Sequence, residues 1–268
     1  MTLLENPKKS LGQNFLTDAN IINKIIKIAN IEKNKTVLEI GPGYGNLTEK
    51  ILAADPYEIL AIEKDVKLSN FLKEKFHNST NIKIINNDVM NLIKKNNLGK
   101  NLIVFGNLPY NISTQILASL ILLEKWPPWY DILILMFQKE VADRILAKKK
   151  SSSYGRLSIL SNWRLDIKKH FDVSNNCFFP KPKVDSTVLS FRPKKNNKFI
   201  LRNPKNLEHI TRILFSNRRK MINKSFLKIF KKNKSIANDL KLNLKLRPED
   251  LSIEMFYKIT MKYEELFC

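Results

Sequence analysis

Five short apolar runs separated by amphipathic stretches constrain this chain more than any other feature. They are TVLEI (36–40), EILAIE (58–63), IKIIN (82–86), NLIVFG (101–106) and DILILMF (131–137). Runs of this length rich in Ile, Leu and Val read as strands buried on both faces, and the stretches between them can return over the sheet as helices. The expectation is an α/β architecture built on a parallel sheet. Further candidate strands run from Arg164 to His170 and from Val184 to Arg192, the second alternating Val184, Ser186, Val188 and Ser190 with Asp185, Thr187, Leu189 and Phe191. They would add an antiparallel edge and bring a mixed sheet to seven strands.

Ahead of the first strand, Asp18 suits a helix N-cap, and Ile21, Ile22, Ile25, Ile26 and Ile28 then fall near one face at helical spacing. Beyond Arg192 the character changes. PKKNNK and RNPKN are polar, and EHITRILFSNRRKMINKSFLKIFKK combines helical periodicity with dense positive charge. A boundary near residue 200 divides the chain into a domain of residues 1–200 and a small all-helical domain of residues 201–268, with Asn233 and Pro248 punctuating its helices.

The formal charge of +22 points to a polyanionic partner, because each phosphate that a cation neutralises releases condensed counterions. Arg212, Arg218, Arg219, Lys220, Lys224 and Lys228 at the start of the carboxy-terminal domain, with a second cluster at Lys148, Lys149 and Lys150, are candidate phosphate contacts that position without reading sequence, the pair Arg218 and Arg219 foremost because guanidinium groups suit phosphate. No apolar run is long enough to span a membrane. The opening MTLLENPKKSLGQNF lacks the basic-then-apolar order of a secretory signal, so a cytoplasmic protein is expected. Cys177 and Cys268 lie far apart without metal-type spacing, which gives no reason to expect a disulfide framework or a metal. The three histidines match no catalytic arrangement.

Ligand chemistry gathers at the strand ends. The first strand runs into Gly41-Pro42-Gly43-Tyr44-Gly45-Asn46, a glycine-rich turn that lets a ligand approach the backbone. A dinucleotide fingerprint would need glycine at position 46, and Asn46 stands there; G-x-G-x-G resembles instead the loop of class I methyltransferases. Glu63 closes the second strand, where a carboxylate can accept from two ribose hydroxyls. Asp88 follows the third, placed to accept from the exocyclic amine of an adenine. Ligands of open parallel sheets lie outside these carboxyl ends, so the three define one crevice.

After the fourth strand stands Asn107-Leu108-Pro109-Tyr110, similar to the N-L-P-Y motif of amino-group methyltransferases. An adenine amine is a poor nucleophile because its lone pair is delocalised into the ring. Acceptors at the Asn107 side chain and at a main-chain carbonyl near Leu108, directed outward by Pro109, would each hold one N6 hydrogen and turn the lone pair outward. Tyr110 would stack on a base that is flipped or already unpaired.

With these residues and the opening Lys9-Ser10-Leu11-Gly12-Gln13-Asn14-Phe15-Leu16, the chain resembles the ribosomal RNA small-subunit adenine dimethyltransferase family over nearly its full length. The resemblance implies a Rossmann-like class I methyltransferase domain and S-adenosylmethionine as cofactor. It assigns cofactor contacts to Asn14, Leu16, Gly41, Glu63, Asp88 and Asn107. The segment Phe178-Phe179-Pro180-Lys181-Pro182-Lys183-Val184-Asp185-Ser186 resembles the family's second base-side loop and gives Phe178 the face of the adenine opposite Tyr110, although either ring of the doublet could be core. The implied substrate is two adjacent adenosines in a hairpin near the 3′ end of 16S rRNA, met in a 30S assembly intermediate by a monomeric enzyme. Two readings remain beside it: an adenine methyltransferase of large-subunit rRNA, of the macrolide-resistance type, and an rRNA-binding assembly factor without catalysis.

Overall fold

The structure, a computed structural model, describes residues 12–95 and 98–268. Lys9, Ser10 and Leu11 of the opening motif lie outside the described residues. The chain forms two compact units, one of residues 1–120, 127–142 and 167–193, the other of residues 121–126, 143–166 and 194–268.

In the first unit β1 (Phe15–Leu16) precedes α1 (Ala19–Ala29), and then strands and helices alternate: β2 (Thr36–Ile40), α2 (Asn46–Ala53), β3 (Glu58–Glu63), α3 (Val66–Lys75), β4 (Ile82–Asn86), α4 (Val89–Lys95), β5 (Leu102–Asn107), α5 (Ser113–Ile121) and β6 (Tyr130–Gln138). The chain then passes through α6 (Lys139–Leu146) and α7 (Arg156–Arg164), the latter part of the second unit, before β7 (Leu165–Val173), β8 (Phe178–Phe179) and β9 (Ser186–Pro193). Seven strands make one sheet in the order β4-β3-β2-β5-β6-β9-β7. The strands from β4 to β6 are parallel and β9 runs antiparallel to β6, which is the mixed sheet expected from sequence.

The order has a functional consequence. The chain winds outward from β2 through β3 to β4, then returns to β5 on the other side of β2. A crevice opens where the winding reverses, between the carboxyl ends of β2 and β5. The register pairs Ile40 with Ile62 on one side and with Gly106 on the other, so these ends lie level. Beneath them the core holds Val37, Ile59, Ile103, Phe105, Ile132 and Ile134, against which α1 packs Ile22, Ile25 and Ala29. As its sequence position suggests, Asp18 caps α1 by accepting from the amides of Asn20 and Ile21.

The second unit contains α8 (Pro204–Phe215), α9 (Asn223–Ile229), α10 (Ser235–Asp239) and α11 (Ile253–Phe267). It differs from a plain division at residue 200, because α7 packs on α8 and α11. Helix α7 is buried on several sides, through Leu157, Ile159, Leu160 and Trp163, and has no polar face to leave in solvent. Two long-range hydrogen bonds fix the arrangement: Tyr257 Oη donates to the Ile159 carbonyl at 2.8 Å, and Tyr154 Oη to the Leu251 carbonyl at 3.0 Å. Among the described residues no helix is long and apolar enough to cross a membrane, and no cluster of His, Cys, Asp and Glu could hold a metal.

Candidate functional site

A cleft enclosing about 970 Å³ of empty space, its open mouth included, lies over the reversal point. Five segments meet there: Gly12 to Phe15, the loop after β2, Glu63 and Lys64 after β3, Asn87 to Val89 after β4, and Asn107 to Ile112 after β5. All belong to the first unit.

The glycine loop takes its shape from left-handed backbone. Gly41 and Gly43 have φ of 68° and 59°, and a Cβ on Gly43 would sit 2.5 Å from Cδ1 of the Phe15 ring. Glycine is required at position 43 on both counts. A Gly43→Ala change is expected to lower stability by about 1–3 kcal/mol and to push Phe15 from the cleft wall, read as a lower melting temperature and a weaker response of that temperature to added ligand. Under the loop, Glu39 is buried and accepts from Thr48 Oγ1 at 2.6 Å, tying the end of β2 to the first turn of α2. Burial pushes its carboxyl pKa up to about 7, against the hydrogen bond from Thr48.

Glu63 is also buried, with each carboxylate oxygen held by one amide: Gly43 N at 3.2 Å and Asp65 N at 2.8 Å. Burial raises its pKa, and the amides of Asp65, Gly43 and Lys64 oppose that rise. Its position is thereby fixed while each oxygen keeps a further lone pair for a ligand hydroxyl. Asp88 caps α4 through the Met90 amide at 2.9 Å and pairs with Lys64 Nζ at 2.9 Å, and that ammonium holds its carboxyl below the usual range.

At the end of β5 the Asn107 side chain donates from Nδ2 to the Asn14 carbonyl at 2.8 Å. A carbonyl can only accept, so the bond sets the orientation of the amide and leaves Oδ1, which receives no hydrogen bond among the described residues, as an acceptor. The Leu108 side chain is buried beside Gly106, where an added Cβ would meet it at 2.7 Å. Among the described residues its carbonyl receives no hydrogen bond. Tyr110 Oη is 2.8 Å from Ser186 Oγ, and burial lifts its phenol pKa, keeping the ring neutral.

Asn14, Gly41, Glu63, Asp88 and the whole Asn107 to Tyr110 segment thus line one cleft, and Gly12 borders it too. Leu16 does not line this cleft. It borders an adjoining hollow, about 520 Å³ of empty space with its opening to solvent included, that shares Phe15, Gly41 and Asn107 with it, and its carbonyl accepts from Asn46 Nδ2 at 2.8 Å. Phe178 departs from expectation: at 4% exposure it belongs to the hydrophobic core and lines neither cavity. In the antiparallel pair of β1 and β8 it lies opposite Leu16, and residues directly opposite share a face, here the apolar one. The open ring of the doublet is Phe179, 53% exposed. Arg218 departs too, its Nε paired with Glu249 at 2.9 Å and its Nη2 donating to the Ser151 carbonyl at 3.1 Å, while Arg219 and Lys220 are exposed.

Glu39, Thr48 and Ser186 have roles at the site that the sequence motifs leave unassigned. A lone carboxylate inside the apolar TVLEI was the available signal, since a buried acid must find a donor. Ser186 carries no such signal, because its partner Tyr110 lies 76 residues away.

Comparison with known proteins gives a consistent picture. A model of the family described as ribosomal RNA adenine dimethylase matches residues 4–265. The chain is 51% identical over 259 residues to the ribosomal RNA small subunit methyltransferase A of Pelagibacter ubique, covering 97% of each chain. It is similar to the crystal structure of a dimethyladenosine transferase from Plasmodium falciparum, with a TM-score of 0.77, 26% identity and coverage of 94% of this chain and 98% of that one. The 23S rRNA methyltransferase ErmE shares the fold at a TM-score of 0.65 and 21% identity, with coverage of 94% and 99%.

Proposed function

Because the chain belongs to the ribosomal RNA adenine dimethylase family, we propose that it transfers methyl groups from S-adenosylmethionine to N6 of two adjacent adenosines in a hairpin near the 3′ end of 16S rRNA, in an assembling small subunit. The observation that carries the chemistry is the Asn107 amide, pinned through Nδ2 to Asn14 with Oδ1 left to accept.

The cleft suits the cofactor on its own terms. A buried, amide-held carboxylate at Glu63 matches a vicinal diol, Asp88 offers an acceptor to an adenine amine, and Gly41 leaves backbone room beside Asn107. Asn14 and Asn107 border the same space, and Leu16 completes the wall of the adjoining cavity. When bound, S-adenosylmethionine supplies an electrophilic methyl group on a sulfonium.

The remaining chemistry belongs to the protein's own groups. Asn107 Oδ1 and the Leu108 carbonyl accept the two N6 hydrogens, opposing delocalisation of the lone pair into the adenine ring. Pro109 keeps the turn rigid, because its ring fixes φ. The Tyr110 ring, anchored at its hydroxyl by Ser186, offers a face for the base. No strong general base is needed: once methylated, the amine is acidic and gives its proton to water. Catalysis is thus positioning and electrostatic complementarity. Phe178 has no part in this chemistry and stays in the core. The basic second unit supplies contacts to RNA phosphates.

Labelled-methyl transfer to undermethylated small subunits, with large subunits and duplex DNA alongside, tests the reading. Transfer confined to the small subunit is the expected result. Label in large subunits would leave the chemistry standing and move the site.

A further inference from the structure

Helix α3 meets the cleft at both of its ends. At the amino end Asp65 caps it by accepting from the Lys67 amide at 3.0 Å, and the Asp65 amide holds one oxygen of Glu63 at 2.8 Å. At the carboxyl end its last residue, Lys75, reaches back to the glycine loop, where Nζ donates to the Tyr44 carbonyl at 2.8 Å. Tyr44 directly follows Gly43, whose amide holds the other oxygen of Glu63 at 3.2 Å. The helix thus brackets the carboxylate through two bonds, one made by its own N-cap residue and one made by the loop that Lys75 holds.

Packing closes the same bracket. Gly45 lies against the carboxyl end of α3, since a Cβ there would sit 2.9 Å from the Phe76 ring and 3.0 Å from Leu72. The centroid of the Tyr44 ring is 4.5 Å from that of Phe15, a wall of the cleft, and 5.8 Å from that of Phe71 on α3. The Lys75 ammonium lies 5.8 and 5.5 Å from the ring centroids of Phe71 and Phe76 and pairs with Glu49 of α2 at 2.7 Å. Its side chain is 27% exposed, against 83% for Lys33, whose pair with Asp55 is an ordinary surface one. An ammonium held in this way makes a charge-assisted bond to the carbonyl, about twice as strong as a neutral one.

We infer that Lys75 is a positioning residue for the cofactor: by holding the Tyr44 carbonyl it keeps the Gly43 amide on Glu63, and so keeps Glu63 turned toward the ribose hydroxyls. The inference rests on the reading of the cleft as the S-adenosylmethionine site. Lys75 does not line the cleft, so its effect reaches a ligand through the loop alone. It therefore bears on cofactor affinity and leaves the acceptors at Asn107 and Leu108 in place.

The test uses the full-length protein with S-adenosylhomocysteine as the probe, its Kd measured by calorimetry. Lys75→Met keeps an apolar stem against Phe71 and Phe76 and removes the ammonium. It is expected to raise Kd on the order of tenfold, the effect of losing one charge-assisted hydrogen bond. KM for S-adenosylmethionine should rise in parallel, while kcat at saturating cofactor and KM for small subunits are retained. Lys75→Arg, which can still donate to the Tyr44 carbonyl, should restore the affinity. Two controls isolate the bond to the loop: Lys73→Met removes the same charge from an exposed position of the same helix, and Glu49→Gln breaks the ion pair while leaving the Tyr44 carbonyl its donor. Little change is expected in either. An unchanged Kd in Lys75→Met overturns the inference. So does an equal rise with Lys73→Met, which would reduce the effect to net charge, or with Glu49→Gln, which would assign it to the link with α2. Should Lys75→Met lower the melting temperature of the free protein, Lys75→Gln, shorter and uncharged at the helix end, carries the same comparison with the same expected rise. Failure of the unaltered protein to bind S-adenosylhomocysteine counts against the reading of the cleft itself, whereas equal binding by the unaltered protein and Lys75→Met counts against Lys75 alone.

Discussion

Replacing Asn107 by alanine is expected to lower kcat by about 10²- to 10³-fold, the scale seen when one preorganised polar group that stabilises a transition state is removed. Among the described residues Asn107 Oδ1 is left as an acceptor while Nδ2 is engaged with the Asn14 carbonyl, so the substitution deletes a group already held in place. Its loss should appear in kcat more than in KM, since the interaction strengthens as the amine gains positive charge. Asn107→Asp makes a sharper comparison. The acceptor oxygen survives, but a carboxylate faces the Asn14 carbonyl with no hydrogen to donate, and the orientation is lost. Rates close to those of the unaltered enzyme in either variant would remove Asn107 from the chemistry. Circular dichroism and thermal melting separate this from unfolding.

The second large effect concerns Glu39, which is buried beneath the glycine loop with Thr48 as donor. Its carboxyl titrates at about 7 when folded, against 4.5 in an open chain. Because the folded value is the higher one, the relative stabilisation from this group is complete below about pH 4.5. It is lost as pH rises toward 7, and above that the ionised buried carboxylate carries the full penalty. The difference of 2.5 between those two values, at about 1.36 kcal/mol per pH unit, gives a penalty of about 3 kcal/mol. Glu39→Gln keeps an acceptor for Thr48 and cannot ionise. It is expected to be more stable than the unaltered protein at pH 8, by up to about 3 kcal/mol, and to show no advantage at pH 4.5. Denaturant melts at the two pH values check this; a constant difference across pH would place the cause elsewhere.

Much of the fold can be read from the sequence because its parallel strands are continuous apolar runs bounded by polar turns. The first three candidate strands match β2, β3 and β4 end for end, and NLIVFG and DILILMF differ from β5 and β6 by a single residue at each end. The later strands are looser. Val184 and Asp185 lie outside β9, and β7 continues to Val173, because segments with one polar face give weaker boundaries. The pair of β1 and β8 was not legible: each has only two residues, too few for any period, and their partners are 162 to 164 positions apart. That pairing decides the Phe178-Phe179 doublet, since opposition to Leu16 turns Phe178 into the core.

The site divides along the same line. Residues at strand ends, Gly41, Glu63, Asp88 and Asn107, follow from sheet topology once the strands are known, because the reversal between β2 and β5 brings carboxyl ends together. Tertiary hydrogen bonds do not follow from it. Neither the bond from Asn107 to Asn14, nor that from Tyr110 to Ser186, nor the capture of Arg218 by Glu249 leaves a periodic trace in sequence. The second unit illustrates the same limit, since α7 looks like part of the first domain in chain order and packs instead on α8 and α11.

The most direct test of the central claim is the identity and position of the product. Undermethylated small subunits are incubated with the protein and isotopically labelled S-adenosylmethionine, and the rRNA is then digested and mapped by mass spectrometry, with Asn107→Ala run in parallel. The expected product is N6,N6-dimethyladenosine at two adjacent positions near the 3′ end of 16S rRNA, absent with the variant. A methyl group on any other base or ribose, or a product formed equally well by Asn107→Ala, would contradict it.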